Sequence, residues 1–151
     1  MHKTISDISS NSEMKPLVIF FCTSIALLNG PYMYGLNLKF NLKSNIFSII
    51  SGVLASLFLI LTGLTIAEGS PIHTIFCLMF CMFFILYEIF VSFSASKTNP
   101  SLKIIGLSIV GCNLLLTLIL FILYGLTGIT EITFLGLNCI WLIIFATRIV
   151  F

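Results

Sequence analysis

Five apolar stretches, residues 16–34, 46–67, 71–93, 102–126 and 132–151, take up most of the 151-residue chain. Each holds 19 to 25 residues, and about 20 suffice to cross a hydrocarbon core roughly 30 Å thick. A water-soluble domain of this length has no interior large enough to hide five such segments. None shows the period-two alternation of a barrel strand, and a helix satisfies all of its backbone groups within one segment. The expected fold is therefore all-α: a polytopic transmembrane bundle of five spans over residues 16–151, preceded by a polar tail over residues 1–15.

Composition excludes other classes. The chain is 59% hydrophobic and 8% charged, with a mean hydropathy of +1.20, whereas soluble domains are about one quarter charged. A net charge of +2 spread along the chain lacks the clustered basic face that nucleic acid requires. The first 15 residues do not run from a basic region into an apolar one with a small-residue cleavage site, so a cleaved signal peptide is not expected. Cys22, Cys77, Cys81, Cys112 and Cys139 all lie inside apolar segments, where thiols behave as small hydrophobes. Without a CxxC pair, a thiol oxidoreductase is disfavoured.

The charges sort by sign. Lys39, Lys43, Lys97, Lys103 and Arg148 fall on one side of the five segments, while Lys3, Lys15, Asp7, Glu13, Glu68 and Glu131 fall on the other. The positive-inside rule places the first group in the cytoplasm, so the N-terminus is expected outside and the C-terminus inside. Glu68-Gly69-Ser70-Pro71 and Asn99-Pro100-Ser101 read as tight turns with proline opening the next helix. Asn29-Gly30-Pro31 interrupts the first segment, and a proline there is expected to kink or end the helix.

Few polar residues lie within the spans. His73, Cys77, Cys81, Phe84 and Glu88 share one stripe of the third segment. A His and a carboxyl on one face can relay protons or hold a ligand. The simpler reading takes His73 to the outer interface and lets Glu88 snorkel to the inner one or pair with Lys97. No metal site and no cofactor are expected. Asn113, Thr117 and Tyr124 form a second stripe near Gly106 and Gly111, suited to interhelical hydrogen bonds. Ser48, Gly52 and Ser56 form a small-residue row that permits close helix packing. Glu131 and Asn138 share a face of the fifth segment, and Trp141 lies too deep for an interfacial belt, with Asn138 the candidate partner for its indole N–H. Ser6, Asp7, Glu68, His73 and Glu131 together make a candidate outer polar cluster. Glu88, Asn113, Thr117 and Asn138 make an intramembrane set.

The order of these residues resembles an uncharacterised family of six-helix membrane proteins of bacteria and archaea, the domain of unknown function 998. More distantly it resembles the DRAM-type autophagy modulators and their GPI-anchor-remodelling relatives. The resemblance rests on Thr4-Ile5-Ser6-Asp7-Ile8-Ser9, on the Gly52 helix followed by a helix-initial His73, and on Gly128-Ile129-Thr130-Glu131 followed by Trp141 and Arg148. It implies an outer cluster of Ser6, Asp7, His73 and Glu131, and a first helix of the family that has no counterpart here. Another membrane protein or a second copy of the chain would then supply a sixth helix.

Three functional readings follow. The first is a non-enzymatic membrane protein that contacts lipid headgroups or a partner through the outer cluster. The second is a small transporter or channel component lined by Glu88, Asn113 and Thr117. The third is a membrane-embedded lipid-modifying enzyme with His73 as general base. A Glu88 facing the bilayer without a partner would exclude the second.

Overall fold

The computed structural model describes residues 15–40, 46–65, 71–125 and 128–150. They form five helices: α1 (Lys15–Phe40), α2 (Ile46–Leu64), α3 (Pro71–Ala95), α4 (Pro100–Tyr124) and α5 (Gly128–Val150). All five are long and apolar enough to cross a membrane. The chain is thus an integral, multi-pass membrane protein of helix-bundle architecture.

Local chemistry sets the helix ends. Asn99 is the N-cap of α4, its Oδ1 accepting from the Ser101 N–H at 3.0 Å, with Pro100 in the first turn. α4 therefore starts two residues before the apolar stretch does. It stops at Tyr124 because Gly125 turns the backbone to φ 71 and returns its N–H to the Phe121 carbonyl at 2.8 Å. α5 begins at Gly128, which puts Glu131 in its first turn where the helix dipole favours a carboxylate. Asn99→Ala is expected to cost about 1 kcal/mol, measured as a lowered unfolding midpoint in detergent micelles. No change in midpoint would show that the cap is replaced by solvent.

Pro31 does not end the first helix. α1 runs through it to Phe40, and Pro31 is exposed on its surface. Its ring leaves one carbonyl, that of Leu27, without an N–H to accept, a defect that transmembrane helices tolerate. One turn's residue next to it is put to use: Asn29 Nδ2 donates to Ser56 Oγ of α2 at 3.3 Å. Lys39 consequently lies in the last turn of α1 rather than in a loop, where a cation complements the helix C-terminus.

Consecutive helices pack side by side, with the broadest interface between α2 and α3, and α1 also touches α5 and α3. The small-residue row of α2 makes that interface possible. Ser48, Ser51, Gly52 and Ala55 are buried, and a Cβ on Gly52 would run into Met33 of α1 and lie 3.0 Å from the Tyr87 ring of α3. The core is Leu36, Phe40, Tyr87, Val91, Ala95, Leu102, Val110, Trp141 and Phe145. These residues come from the ends of α1, α3 and α5 and from the start of α4, so they occupy one half of the bundle. Trp141 stacks on Phe145 at 4.1 Å, Tyr87 meets Trp141 at 6.1 Å, and Phe40 meets Phe145 edge-on at 6.0 Å.

The other half is looser. From Leu114 to Tyr124, α4 has no buried residue, and from Lys15 to Leu28, α1 buries only Ala26. Exposed Leu, Ile and Phe side chains on these stretches are what a lipid-facing surface presents.

Candidate functional site

The α3 stripe points inward over its full length: His73, Phe84 and Glu88 are buried, and Cys77 and Cys81 are half-buried. At its first turn, His73 Nδ1 lies 3.1 Å from the Thr62 carbonyl of α2, and Nε2 lies 3.5 Å from Cys77 Sγ. A carbonyl only accepts, so Nδ1 carries a proton, and a neutral ring leaves Nε2 to accept from the Cys77 thiol. Both ring nitrogens are engaged.

Glu131 is half-buried in the first turn of α5, within electrostatic range of Cys77 and Cys81. Cys22 of α1 is likewise within range of Cys77. Three helices thus bring polarizable or charged groups to the end of the bundle at which α3 begins. Among the described residues, no three His, Cys, Asp or Glu side chains converge so as to hold a metal ion. Of the candidate outer cluster, His73 and Glu131 are placed at this end, while Ser6, Asp7 and Glu68 lie outside the described residues.

Glu88 departs from expectation. It neither snorkels nor pairs with Lys97. Only 1% of its surface is exposed, and both carboxyl oxygens are buried without a hydrogen-bond partner among the described residues. The reason is helical phase: Lys97 lies nine positions on, half a rotation around α3 and about 13 Å further along, and it is exposed beyond the end of the helix. Tyr32 of α1 and Tyr87 of α3 are among the groups within electrostatic range of Glu88. Tyr32 Oη donates to the Leu142 carbonyl of α5 at 3.2 Å, and the buried Tyr87 Oη has no partner among the described residues. Ser92 Oγ, one turn on, donates to the Glu88 backbone carbonyl at 2.7 Å.

The second polar group joins α4 to α5. Asn113 Nδ2 donates to Asn138 Oδ1 at 2.7 Å and, at 3.4 Å, to the Phe134 carbonyl, while Thr117 Oγ1 donates to Asn113 Oδ1 at 3.1 Å. Asn113 and Thr117 therefore serve the α4–α5 contact, and no hydrogen bond among the described residues links them to Glu88. Because the Asn138 carbonyl is taken by Asn113, Trp141 finds another partner. Its indole N–H donates to Ser92 Oγ of α3 at 3.3 Å.

Tyr32, Tyr87 and Ser92 belong to the Glu88 surroundings without having been singled out by the sequence. Ser92 was detectable, because it extends the spacing 73, 77, 81, 84, 88 by one further turn. The tyrosines were not, since only packing of α1 against α3 and α5 reveals them. Compared with family models, curated proteins and solved structures, the chain matches none.

Proposed function

We propose that this membrane protein is a small, non-enzymatic transporter or channel component that handles a monovalent cation, the proton included, with Glu88 as its ion-binding group. One observation carries the reading: a carboxyl in the interior of a membrane bundle, facing away from lipid, with both oxygens unpartnered among the described residues. Ionisable groups within a bilayer are expensive and are placed there for pathways, relays or counter-ions. Near-complete enclosure admits only a proton or a bare small ion. The sign of that ion follows from the lining. Every described Lys is exposed or half-buried near a helix end, so no described lysine is available inside to hold an anion. The reading takes the end at which α3 begins as the outer side, following the Lys-bearing ends opposite it.

The test is ion flux in proteoliposomes driven by a potassium diffusion potential and followed with a trapped pH-sensitive dye. Wild-type protein is expected to conduct, and Glu88→Gln to fall to the level of protein-free vesicles. Equal rates for the two proteins, with either protons or sodium, would overturn the reading.

A second reading is supported by the His73, Cys77 and Glu131 grouping. It makes the same end of the bundle a contact for lipid headgroups or for a partner helix. His73→Ala would then alter copurifying lipid.

A further inference from the structure

We infer that Glu88 is reached from the end of the bundle at which α3 begins, along the inward stripe His73, Cys77 and Cys81, with Glu131 selecting cations at its mouth and Phe84 as the barrier. This rests on the assignment of Glu88 as an ion-binding group.

The two halves of the bundle differ in a way that allows access from one side only. Toward the other end, Tyr87, Trp141, Phe145 and Phe40 form a continuous run of ring contacts among the buried Val91, Ala95, Leu102 and Val110. A hydrated ion has no way through that packing without displacing several aromatic side chains. Toward the α3 N-terminus, the half-buried Cys77 and Cys81 lie on the same inward stripe as the fully enclosed Glu88. α4 and α1 leave that half loosely covered. That half places an imidazole, two thiols and the Glu131 carboxylate beside the Phe58, Phe76 and Phe83 rings of the α2–α3 contact, so a small cation finds polar groups along the stripe.

Charge adds direction. Glu131 acts electrostatically on both Cys77 and Cys81, so its field covers the stretch an ion would traverse. A site walled by low-dielectric material focuses such a field and raises the local concentration of the opposite sign. Lys15, the described cation at this end, stands at the first residue of α1, seven positions from Cys22.

Phe84 separates the stripe from the acid. It is buried one turn after Cys81 and one turn before Glu88, with its ring 5.7 Å from Phe80 and 6.2 Å from Tyr87. Opening the stripe toward Glu88 requires Phe84 to move against Phe80 and Tyr87, whereas opening the opposite half requires the run Tyr87, Trp141, Phe145 and Phe40 to move.

The chain's own cysteines provide the test. Cys77 and Cys81 line the inferred route, while Cys112 and Cys139 are exposed on the lipid-facing surface. Full-length protein in proteoliposomes is treated with a positively charged, membrane-impermeant methanethiosulfonate, or with its negatively charged counterpart, and modification at each cysteine is followed by peptide mass. The cationic reagent is expected to modify Cys77 and Cys81 about tenfold or more faster than Cys112 and Cys139, and faster than the anionic reagent does. Glu131→Gln should abolish the preference for the cation. Cys77→Ser, a substitution of similar shape, should keep the fold and leave Cys81 reactive. Cys77 and Cys81 reacting no faster than the lipid-facing pair would overturn the route, even if flux still depends on Glu88. Reactive Cys77 and Cys81 without Glu88-dependent flux would instead uphold the route and refute transport.

Discussion

Glu88→Leu is expected to make the protein more stable and, at the same time, to abolish its ion flux. In most proteins, replacing a fully enclosed side chain is destabilising because contacts are lost. Here the side chain being removed has two buried oxygens that find no donor among the described residues. An unsatisfied buried polar group costs about 1 to 3 kcal/mol, and an apolar replacement of similar size removes that cost. Leucine keeps a good helix former in mid-α3 and puts methyl groups where the enclosed carboxyl stood. The expected gain is therefore about 1 to 3 kcal/mol, read as a raised unfolding midpoint in mixed micelles. Glu88→Gln keeps both the shape and the unsatisfied polar atoms, so its midpoint should stay near that of wild type while flux is lost. The pair separates structure from function: stability follows the polarity of the side chain, and flux follows its ability to bind an ion. A leucine variant less stable than wild type would show that the carboxyl has a partner that stabilises it, and the ion-site reading would lose its basis.

The spans and their helical nature were legible because the membrane imposes a length and a hydropathy that few soluble sequences satisfy. Boundaries were legible only where turn chemistry is local. Asn99-Pro100 marks the start of α4 within two residues, whereas Pro31, read as a kink or an end, does not end its helix, because a proline exposed on a long helix removes only one bond. The small-residue row in α2 was also readable, since Gly52 and its neighbours have a spacing that only close packing explains.

The polar interior was half legible for a geometric reason. Spacing within one helix places residues on a common face, and the His73 to Glu88 stripe does share one. It does not say which neighbouring helix that face meets. Glu88 therefore looked free to reach Lys97, and Trp141 to reach Asn138. The structure gives Trp141 to Ser92 and Asn138 to Asn113. The single intramembrane set of Glu88, Asn113, Thr117 and Asn138 also divides by role. Asn113 bonds both Thr117 and the Asn138 Oδ1 across one helix pair, which makes them a packing device even though Asn138 Nδ2 has no partner among the described residues, while neither oxygen of Glu88 is bonded at all among them.

Gly106→Ala is expected to be strongly destabilising. A Cβ at this position would collide with the Ser92 hydroxyl, lie 2.9 Å from Ser92 Cβ and 3.0 Å from the Phe145 ring. Gly106 is thus the point where α3, α4 and α5 meet without a side chain between them. None of its neighbours is the free end of a flexible chain. Ser92 is held by its bond to the Glu88 carbonyl and accepts the Trp141 indole N–H, and Phe145 is stacked on Trp141. Overpacking of this kind costs about 1 to 3 kcal/mol, and an orphaned Trp141 N–H adds about 1 to 3 more. The predicted loss is therefore about 2 to 6 kcal/mol, enough to lower the yield of folded protein in micelles. Ser92→Gly removes the atoms that the new methyl strikes, so the double variant should be less damaged than the sum of the singles, with a coupling of about 1 to 2 kcal/mol. Gly111→Ala is the control, because a Cβ there meets nothing within 4 Å. It should be neutral or slightly stabilising, since alanine is the better helix former. Strict additivity of Gly106→Ala and Ser92→Gly would mean that the three helices do not converge there. The closed half of the bundle, which confines ion access to the opposite end, would then lack its central joint.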